Sequence, residues 1–338
     1  MRKRFSAGFV VAVCAVLVGP SPASAGQSGQ TPRYPTESQM MESTVAQQHV
    51  ETARAAATPG LMEEFERTCT AMGPQRPALL VEMAGQTRAP REQVEPVRVF
   101  DNLYYFGFND VGSWAISTSD GLILIDALNT SEEAEEILIP GLRQMGLNPD
   151  EIKYVLVGHG HNDHVGGVSY LQHTYEDAQI MLTGADWDLA IAGERTDRPR
   201  PTRDAVAIHG QKVTLGDTTV TLAVTPGHTL GSLGFFIPVT HNGASHTVLL
   251  LSGVLQTPTP EDLVGLERVL NEARSMNVQA VLNGHPDLFY GQTLPAMQSA
   301  SRNPDMPHEM LYDSEQFGRY LTIMTECSRA RIAAMGSH

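Results

Sequence analysis

The chain of 338 residues is poor in aromatic and basic side chains and has three cysteines. Aromatic residues make up 6% of the total, and 23 basic residues stand against 38 acidic ones, a formal net charge of −15. A chain of this composition lacks the positive surface that holds nucleic acid or an anionic membrane. We therefore expect a small-molecule substrate, with no nucleic acid and no membrane as partner.

The first 25 residues predict a secretory signal peptide. Basic residues at 2–4 precede an apolar run at 7–18, and a small-residue site at 23–25 follows a Gly-Pro break. A membrane anchor is the alternative, but the apolar run is well short of the roughly 20 residues that span a bilayer. We expect cleavage near Ala25 and a secreted or periplasmic protein.

Export to an oxidising compartment changes the interpretation of the cysteines. Removal of the signal peptide takes away Cys14 and leaves Cys69 and Cys327, an even number. We predict that these two form one disulfide, which ties an N-terminal extension to a C-terminal helix. Two separate buried thiols are the alternative interpretation.

Composition and periodicity divide the remainder into three parts. Residues 26–95 are an extension, whose first part (26–58) is rich in small and polar residues and predicts a loose leader, and whose short helix near 61–72 carries Cys69. Residues 96–310 are the main domain. Residues 311–338 predict a helix packed on that domain, capped by Asp313.

The main domain runs strands, helix, strand in each half, which predicts two sheets packed face to face with helices outside, an α+β fold. The predicted strands lie within 97–108, 113–119, 122–128, 153–157, 213–215, 220–225, 233–239, 248–251 and 280–282. The second half also predicts a helix at about 260–275.

The motif HGHNDH at 159–164 follows directly after a predicted buried strand. Three imidazoles and a carboxylate within six residues are rare by chance in a chain with twelve histidines. A loop at a strand end turns side chains toward two neighbouring points, so His159 and His161 face one ion. Asp163 and His164 face another. Neither pair completes a tetrahedral zinc site.

Two further histidines at predicted strand ends complete the two sets. His228 lies in TPGH at 225–228, and His285 lies in NGHP at 283–286. The predicted ligands are His159, His161 and His228 for one ion, and Asp163, His164 and His285 for the other. Each ion then keeps an open position for water, as a catalytic site requires. Imidazole-rich sets favour zinc, with iron and manganese as chemical alternatives.

Together these motifs resemble the metal-binding signature of the metallo-β-lactamase superfamily, over roughly residues 100–286. The resemblance implies a four-layer αβ/βα sandwich with two Zn²⁺ ions at the edge of its two sheets. Thioesterases, lactonases and nucleases of that superfamily usually carry a bridging aspartate at the end of the strand before the last helical segment. Other lactamase subclasses carry a cysteine there, whereas this chain reads VLLLSGV at 248–254.

The sequence is therefore most similar to the third subclass of metallo-β-lactamases, whose sites are three His, and Asp plus two His. This implies a secreted dinuclear zinc hydrolase that opens the β-lactam ring of antibiotics and confers antibiotic resistance. A zinc-bound hydroxide would attack the amide carbonyl, with Asp163 as the catalytic residue that holds the hydroxide.

The sequence indicates the substrate contacts less clearly than the metal ligands. Members of that subclass often carry serines just after the strand, and the hydroxyls available here for a substrate carboxylate are those of Thr257 and Thr259. Two other functions stay open. One is a zinc-dependent hydrolase of another ester, lactone or amide on the same scaffold, and the other is a non-catalytic zinc-binding protein.

Overall fold

The computed structural model describes residues 35–69, 91–193, 199–253, 259–286 and 293–336, and within them twelve strands form two sheets. The first sheet has the order β1 (Gln93–Phe100), β2 (Leu103–Phe108), β3 (Gly112–Thr118), β4 (Gly121–Ile125), β5 (Ile152–Leu156), β6 (Gln179–Leu182), β7 (Ala205–Val206). The second has the order β12 (Val278–Asn283), β11 (Ala244–Leu251), β10 (Leu233–His241), β9 (Thr218–Val224), β8 (Lys212–Leu215).

Strand direction changes once within each sheet. Strands β1 to β4 pair antiparallel and β4 to β7 pair parallel. In the second sheet only β11 and β12 are parallel. Both faces of β4 are covered, so all five of its residues are buried and its sequence, GLILI, is an unbroken apolar run.

Most of the helices pack outside the two sheets, and the helix Thr293–Arg302 contributes Leu294 and Met297 to the cluster between them. The helices are α1 (Glu37–Glu42), α2 (Thr44–Ala56), α3 (Met62–Cys69), α4 (Ser131–Glu133), α5 (Ile139–Gln144), α6 (Asn162–Val165), α7 (Val168–Thr174), α8 (Gly184–Ala192), α9 (Pro260–Ser275), α10 (Thr293–Arg302) and α11 (Ser314–Met335). A π-helical turn, Ala134–Leu138, joins α4 to α5. Among the described residues, no helix is both long enough and apolar enough to cross a membrane.

Three apolar clusters show the layers. Trp114 of the first sheet packs with Phe235 and Leu250 of the second in the cluster between the sheets. The outer face of the first sheet packs on α5, α7 and α8, and the outer face of the second packs on α3, α9 and α11. The predicted α+β fold, a four-layer αβ/βα sandwich, is confirmed.

The prediction of a loose leader over residues 26–58 is wrong for its described part. Helices α1 and α2 fill most of residues 37–56, and Ala46 packs against Ala330 and Ala334 of α11. The composition of this segment was misleading because it contains few large apolar residues. Alanine favours helix and, being small, lets two helices approach closely, so an alanine face buries without bulky side chains.

The C-terminal helix begins where the sequence predicts. Asp313 caps α11 in a capping box with Gln316, and the helix continues to Met335. Cys69 at the end of α3 and Cys327 within α11 form a disulfide with a Cα–Cα distance of 4.7 Å. The predicted disulfide is confirmed, and it fixes the N-terminal helices to the last helix.

Candidate metal centre

The HGHNDH motif occupies the turn between β5 and α6, at the carboxyl end of a buried strand. Gly158 precedes it, and a Cβ at this position would lie 1.8 Å from the Cβ of Ser252, so only glycine allows the two chains to approach. The backbone N–H of Gly158 donates to Asp126 Oδ1 at 2.7 Å. The motif therefore starts from a fixed point beneath the site.

The first set of predicted ligands converges on one point. His228 Nε2 lies 3.0 Å from His159 Nε2 and 3.0 Å from His161 Nδ1. His159 is fully buried, while His161 and His228 are partly accessible. The structure thus brings together three imidazole nitrogens from two loops that are distant in sequence.

The second set of predicted ligands converges beside the first. His164 Nε2 lies 3.0 Å from His285 Nε2, and Asp163 Oδ2 lies 3.5 Å from His285 Nε2 and 3.7 Å from His164 Nε2. His159, Asp163 and His164 also offer ligand atoms within 4.8 Å of one another. The two sets are therefore immediate neighbours.

These distances and donors fit zinc. With Zn–N bonds of about 2.0–2.1 Å, two ligands of a tetrahedral ion lie about 3.3 Å apart. In the first set, His228 Nε2 is 3.0 Å from each of the other two nitrogens, and the atoms of the second set are 3.0 to 3.7 Å apart. Imidazole and carboxylate are both common zinc ligands, so the fold and the donor set imply a bound metal, typically zinc.

The electrostatics keep most of these imidazoles neutral. Burial and then the neighbouring histidines hold the pKa of His159 well below its usual range. The same causes lower the pKa of His228 to about 3, and burial and His164 lower the pKa of His285 to about 4. A neutral imidazole presents a lone pair, so these side chains are ready to bind a cation at neutral pH.

For Asp163 and His164, the neighbouring charges outweigh the effect of burial on the pKa. Burial alone would raise the pKa of Asp163, but the imidazoles of His164 and His285 outweigh it and lower that pKa. Burial alone would lower the pKa of His164, but the carboxylates of Asp126 and Asp163 outweigh it and raise that pKa. Asp163 is thus held as a carboxylate, the form that binds metal.

Sequence reasoning missed Asp126, which lies behind the second set. It is fully buried just after β4, with φ of +64°. Its Oδ2 accepts hydrogen bonds from His164 Nδ1 at 2.8 Å and from Ser252 Oγ at 2.6 Å. The sequence did contain a signal for this residue, because its carboxylate directly follows the apolar run GLILI. A carboxylate buried there needs a hydrogen-bond or ion-pair partner.

Of the two predicted substrate contacts, Thr259 lies among the described residues. Thr259 caps α9, where its hydroxyl donates to Asp262 Oδ2 at 2.7 Å and accepts from the Asp262 backbone N–H. Thr257 lies outside the described residues, as does the signal peptide. A substrate contact through either threonine stays a prediction.

The fold and this site resemble those of the metallo-β-lactamase superfamily. Residues 107–241 match the family model described as "Metallo-beta-lactamase superfamily", which confirms the resemblance found in the motifs. The matched segment contains five of the six predicted ligands, and His285 lies beyond it.

Particular relatives fall in two groups. The chain is 39% identical over 93 residues to a hydroxyacylglutathione hydrolase of Pseudomonas putida (strain W619), covering 27% of this chain and 31% of the relative, so the match spans about a third of that protein. In structure it resembles BJP-1, a subclass B3 metallo-β-lactamase of Bradyrhizobium japonicum, with a TM-score of 0.56, 25% identity, and 69% and 91% of the two chains covered.

A second structural neighbour is the FEZ-1 metallo-β-lactamase of Legionella gormanii, with a TM-score of 0.57 and 22% identity over 68% of this chain and 92% of that one. At this identity the likeness shows the fold alone. The named relatives of both groups are hydrolases.

Proposed function

We propose that this protein is a secreted metal-dependent hydrolase that opens the β-lactam ring of antibiotics. The observation that carries the proposal is the absence of a carboxylate or thiol from the segment at the end of β11. All six predicted ligands are histidine or Asp163, and the segment VLLLSGV at 248–254 contains neither an acidic residue nor a cysteine.

Ser252 lies behind the two buried histidines, on the side of their Nδ1 atoms. It follows β11 directly and is fully buried, with its Oγ 3.1 Å from His164 Nδ1 and 3.4 Å from His159 Nδ1. Its Oγ is thus on the side of these rings away from the Nε2 atoms, which lie close to the other predicted ligands. The segment VLLLSGV at 248–254 contains no residue that corresponds to the bridging aspartate usual in thioesterases and lactonases of the superfamily, and this absence supports the pattern of the third lactamase subclass.

In this proposal the three-histidine set holds one Zn²⁺ ion and the Asp163 set holds another. When bound, the ions supply Lewis acidity toward the amide carbonyl and bring the pKa of a bound water to about 7. The side chain of Asp163 is 34% exposed, so its carboxylate is accessible to accept a hydrogen bond from the attacking water. No serine or cysteine nucleophile is required.

The protein fixes which nitrogen of each second-set histidine faces the ion. His164 Nδ1 donates to Asp126, and His285 Nδ1 donates to the backbone carbonyl of Asp110 at 2.7 Å. In the neutral rings, a proton on Nδ1 leaves the lone pair on Nε2, and the two Nε2 atoms lie 3.0 Å apart. The site is thus pre-arranged for a cation.

Export is the second part of the proposal. The motif at 1–25 supports it, and β-lactams are encountered in the periplasm. N-terminal sequencing of the exported protein tests this part, and an uncleaved N-terminus in the periplasmic fraction, or no export, would oppose it.

A second candidate function is hydrolysis of a glutathione thioester. The curated match to a hydroxyacylglutathione hydrolase favours it, although that match spans about a third of the relative. The absence of a carboxylate from the segment 248–254 weighs against it. The two candidates share the metal site and differ in the carbonyl that is attacked.

A substrate panel with and without a chelator separates the candidates. We expect the purified protein to hydrolyse a penicillin, a cephalosporin or a carbapenem with a kcat/KM of about 10⁴ M⁻¹s⁻¹ or more. A chelator should abolish this turnover and added Zn²⁺ should restore it. Thioester turnover at that level, with every β-lactam slower by about a hundredfold, would reject the first candidate in favour of the second.

A further inference from the structure

We propose that Asp186 is the positioning residue of the three-histidine site, holding both loops that carry its imidazoles and supplying negative charge behind them. The inference rests on the proposed metal-dependent function. Asp186 lies in the first turn of α8, outside all three metal-binding motifs, and its side chain is buried, with 1% exposure.

One carboxylate oxygen holds the first loop. Asp186 Oδ1 accepts a hydrogen bond from the backbone N–H of Gly160 at 3.0 Å. Gly160 lies between His159 and His161, so this bond fixes the peptide that links two of the three imidazoles. A Cβ at position 160 would lie 2.5 Å from the carbonyl oxygen of Asp186, so a glycine is needed for this close approach.

The other carboxylate oxygen holds the second loop. Asp186 Oδ2 accepts from the Thr229 hydroxyl at 2.9 Å, and Thr229 directly follows His228. The Thr183 hydroxyl lies 3.2 Å from the same oxygen and 3.0 Å from the carbonyl oxygen of Gly231. A Cβ at Gly231 would lie 2.5 Å from Asp186 Oδ2, so this loop too is shaped around the carboxylate.

The charge of Asp186 indicates a role beyond packing the two loops. A buried carboxylate is costly unless a cation compensates it. In the described part of the chain no lysine or arginine forms an ion pair with Asp186, and its hydrogen bonds come from a backbone N–H and hydroxyl groups. A cation held by the three imidazoles would provide the compensation.

Each of the two ligand sets thus has a buried aspartate behind it. Asp126 holds His164 directly in the second set, whereas Asp186 acts through the loops of the first set. Partners of this kind orient ligands and raise the affinity of a metal site, and their removal typically costs about 10- to 100-fold in affinity.

Zinc binding by single-site variants tests the proposal without any substrate. His285→Ala leaves the three-histidine set intact, and His228→Ala leaves the Asp163 set intact. We expect Asp186→Asn, which keeps the shape and removes the charge, to weaken Zn²⁺ binding about tenfold or more in the His285→Ala background. In the His228→Ala background it should change the Zn²⁺ affinity less than about twofold.

Asp188→Asn is the matched control, because Asp188 lies on the same helix with its side chain 78% exposed and paired with Arg203. It should leave both affinities unchanged. Equal losses in the two backgrounds, or no loss in the first, would overturn the proposal. Because Zn²⁺ alone is the probe, a failure here is distinct from a failure to hydrolyse β-lactams.

If the Asp186→Asn variant does not fold, the variant Thr229→Val is tested in its place. Valine removes one hydrogen bond to the carboxylate, while Thr229→Ser retains that bond. We expect Thr229→Val to weaken Zn²⁺ binding in the His285→Ala background and Thr229→Ser to restore it. Equal Zn²⁺ affinity of the two variants, with equal melting temperatures without metal, would contradict a positioning role.

Discussion

Asp163→Ala is expected to bind one Zn²⁺ ion in place of two and to lower β-lactam hydrolysis by about a hundredfold or more. Two losses combine in this variant. The second set is reduced to His164 and His285, too few ligands to hold an ion tightly. The accessible carboxylate that accepts a hydrogen bond from the attacking water is lost as well.

Metal content by mass spectrometry under native conditions and steady-state kinetics measure the two effects. Asp177→Ala is a matched control, because Asp177 is exposed between α7 and β6, and it should keep both ions and full turnover. Retention of two ions by Asp163→Ala, or turnover within about threefold of the wild type, would remove Asp163 from its assigned role.

Asp126→Ala is expected to be the most destabilising single change at the site. The carboxylate pairs three buried donors: the Gly158 N–H, the Ser252 hydroxyl and His164 Nδ1. A buried donor without a partner costs about 1–3 kcal/mol, so the free energy of unfolding should fall by at least about 3 kcal/mol. The backbone at position 126, with φ of +64°, also suits alanine less well than aspartate.

Asp126→Asn separates stability from metal binding. Asparagine tolerates the left-handed backbone and keeps one acceptor oxygen, so the fold should suffer less. If its amide N–H₂ faces His164 Nδ1, that nitrogen has to accept, which moves the ring proton to Nε2 and removes the lone pair that faces the ion. We expect Zn²⁺ binding at the second set to weaken about 10- to 100-fold.

Denaturant unfolding of the metal-free variants and Zn²⁺ titration in the His228→Ala background measure these effects. A stability of Asp126→Ala within about 1 kcal/mol of the wild type would contradict the pairing assigned to Asp126. So would an unchanged second-set affinity in Asp126→Asn.

The sequence predicted most of the fold because its signals are local. The apolar run of β4, the capping box of α11 and the alternation along the strands each belong to one segment of chain. The side chains that converge at the candidate site also have a local signal, since four of them lie in one six-residue motif and His228 and His285 follow strands. Strand ends meet at one edge of the sheets, so ligands from both halves come together.

The remaining features depend on contacts between distant segments. The helical character of α2 shows only when Ala46 meets the alanines of α11. Asp126 and Asp186 lie outside the metal-binding motifs, and each is linked to the candidate site through peptide N–H groups and hydroxyls that the fold brings to it. Nothing in the spacing of these residues predicts such contacts.

The central claim is that six side chains hold two metal ions side by side. The most direct measurement is an anomalous difference map from a crystal of the Zn²⁺-loaded protein, recorded at the zinc absorption edge. The account predicts two peaks, one among His159, His161 and His228 and one among Asp163, His164 and His285. A single peak, or two peaks away from these side chains, would contradict it.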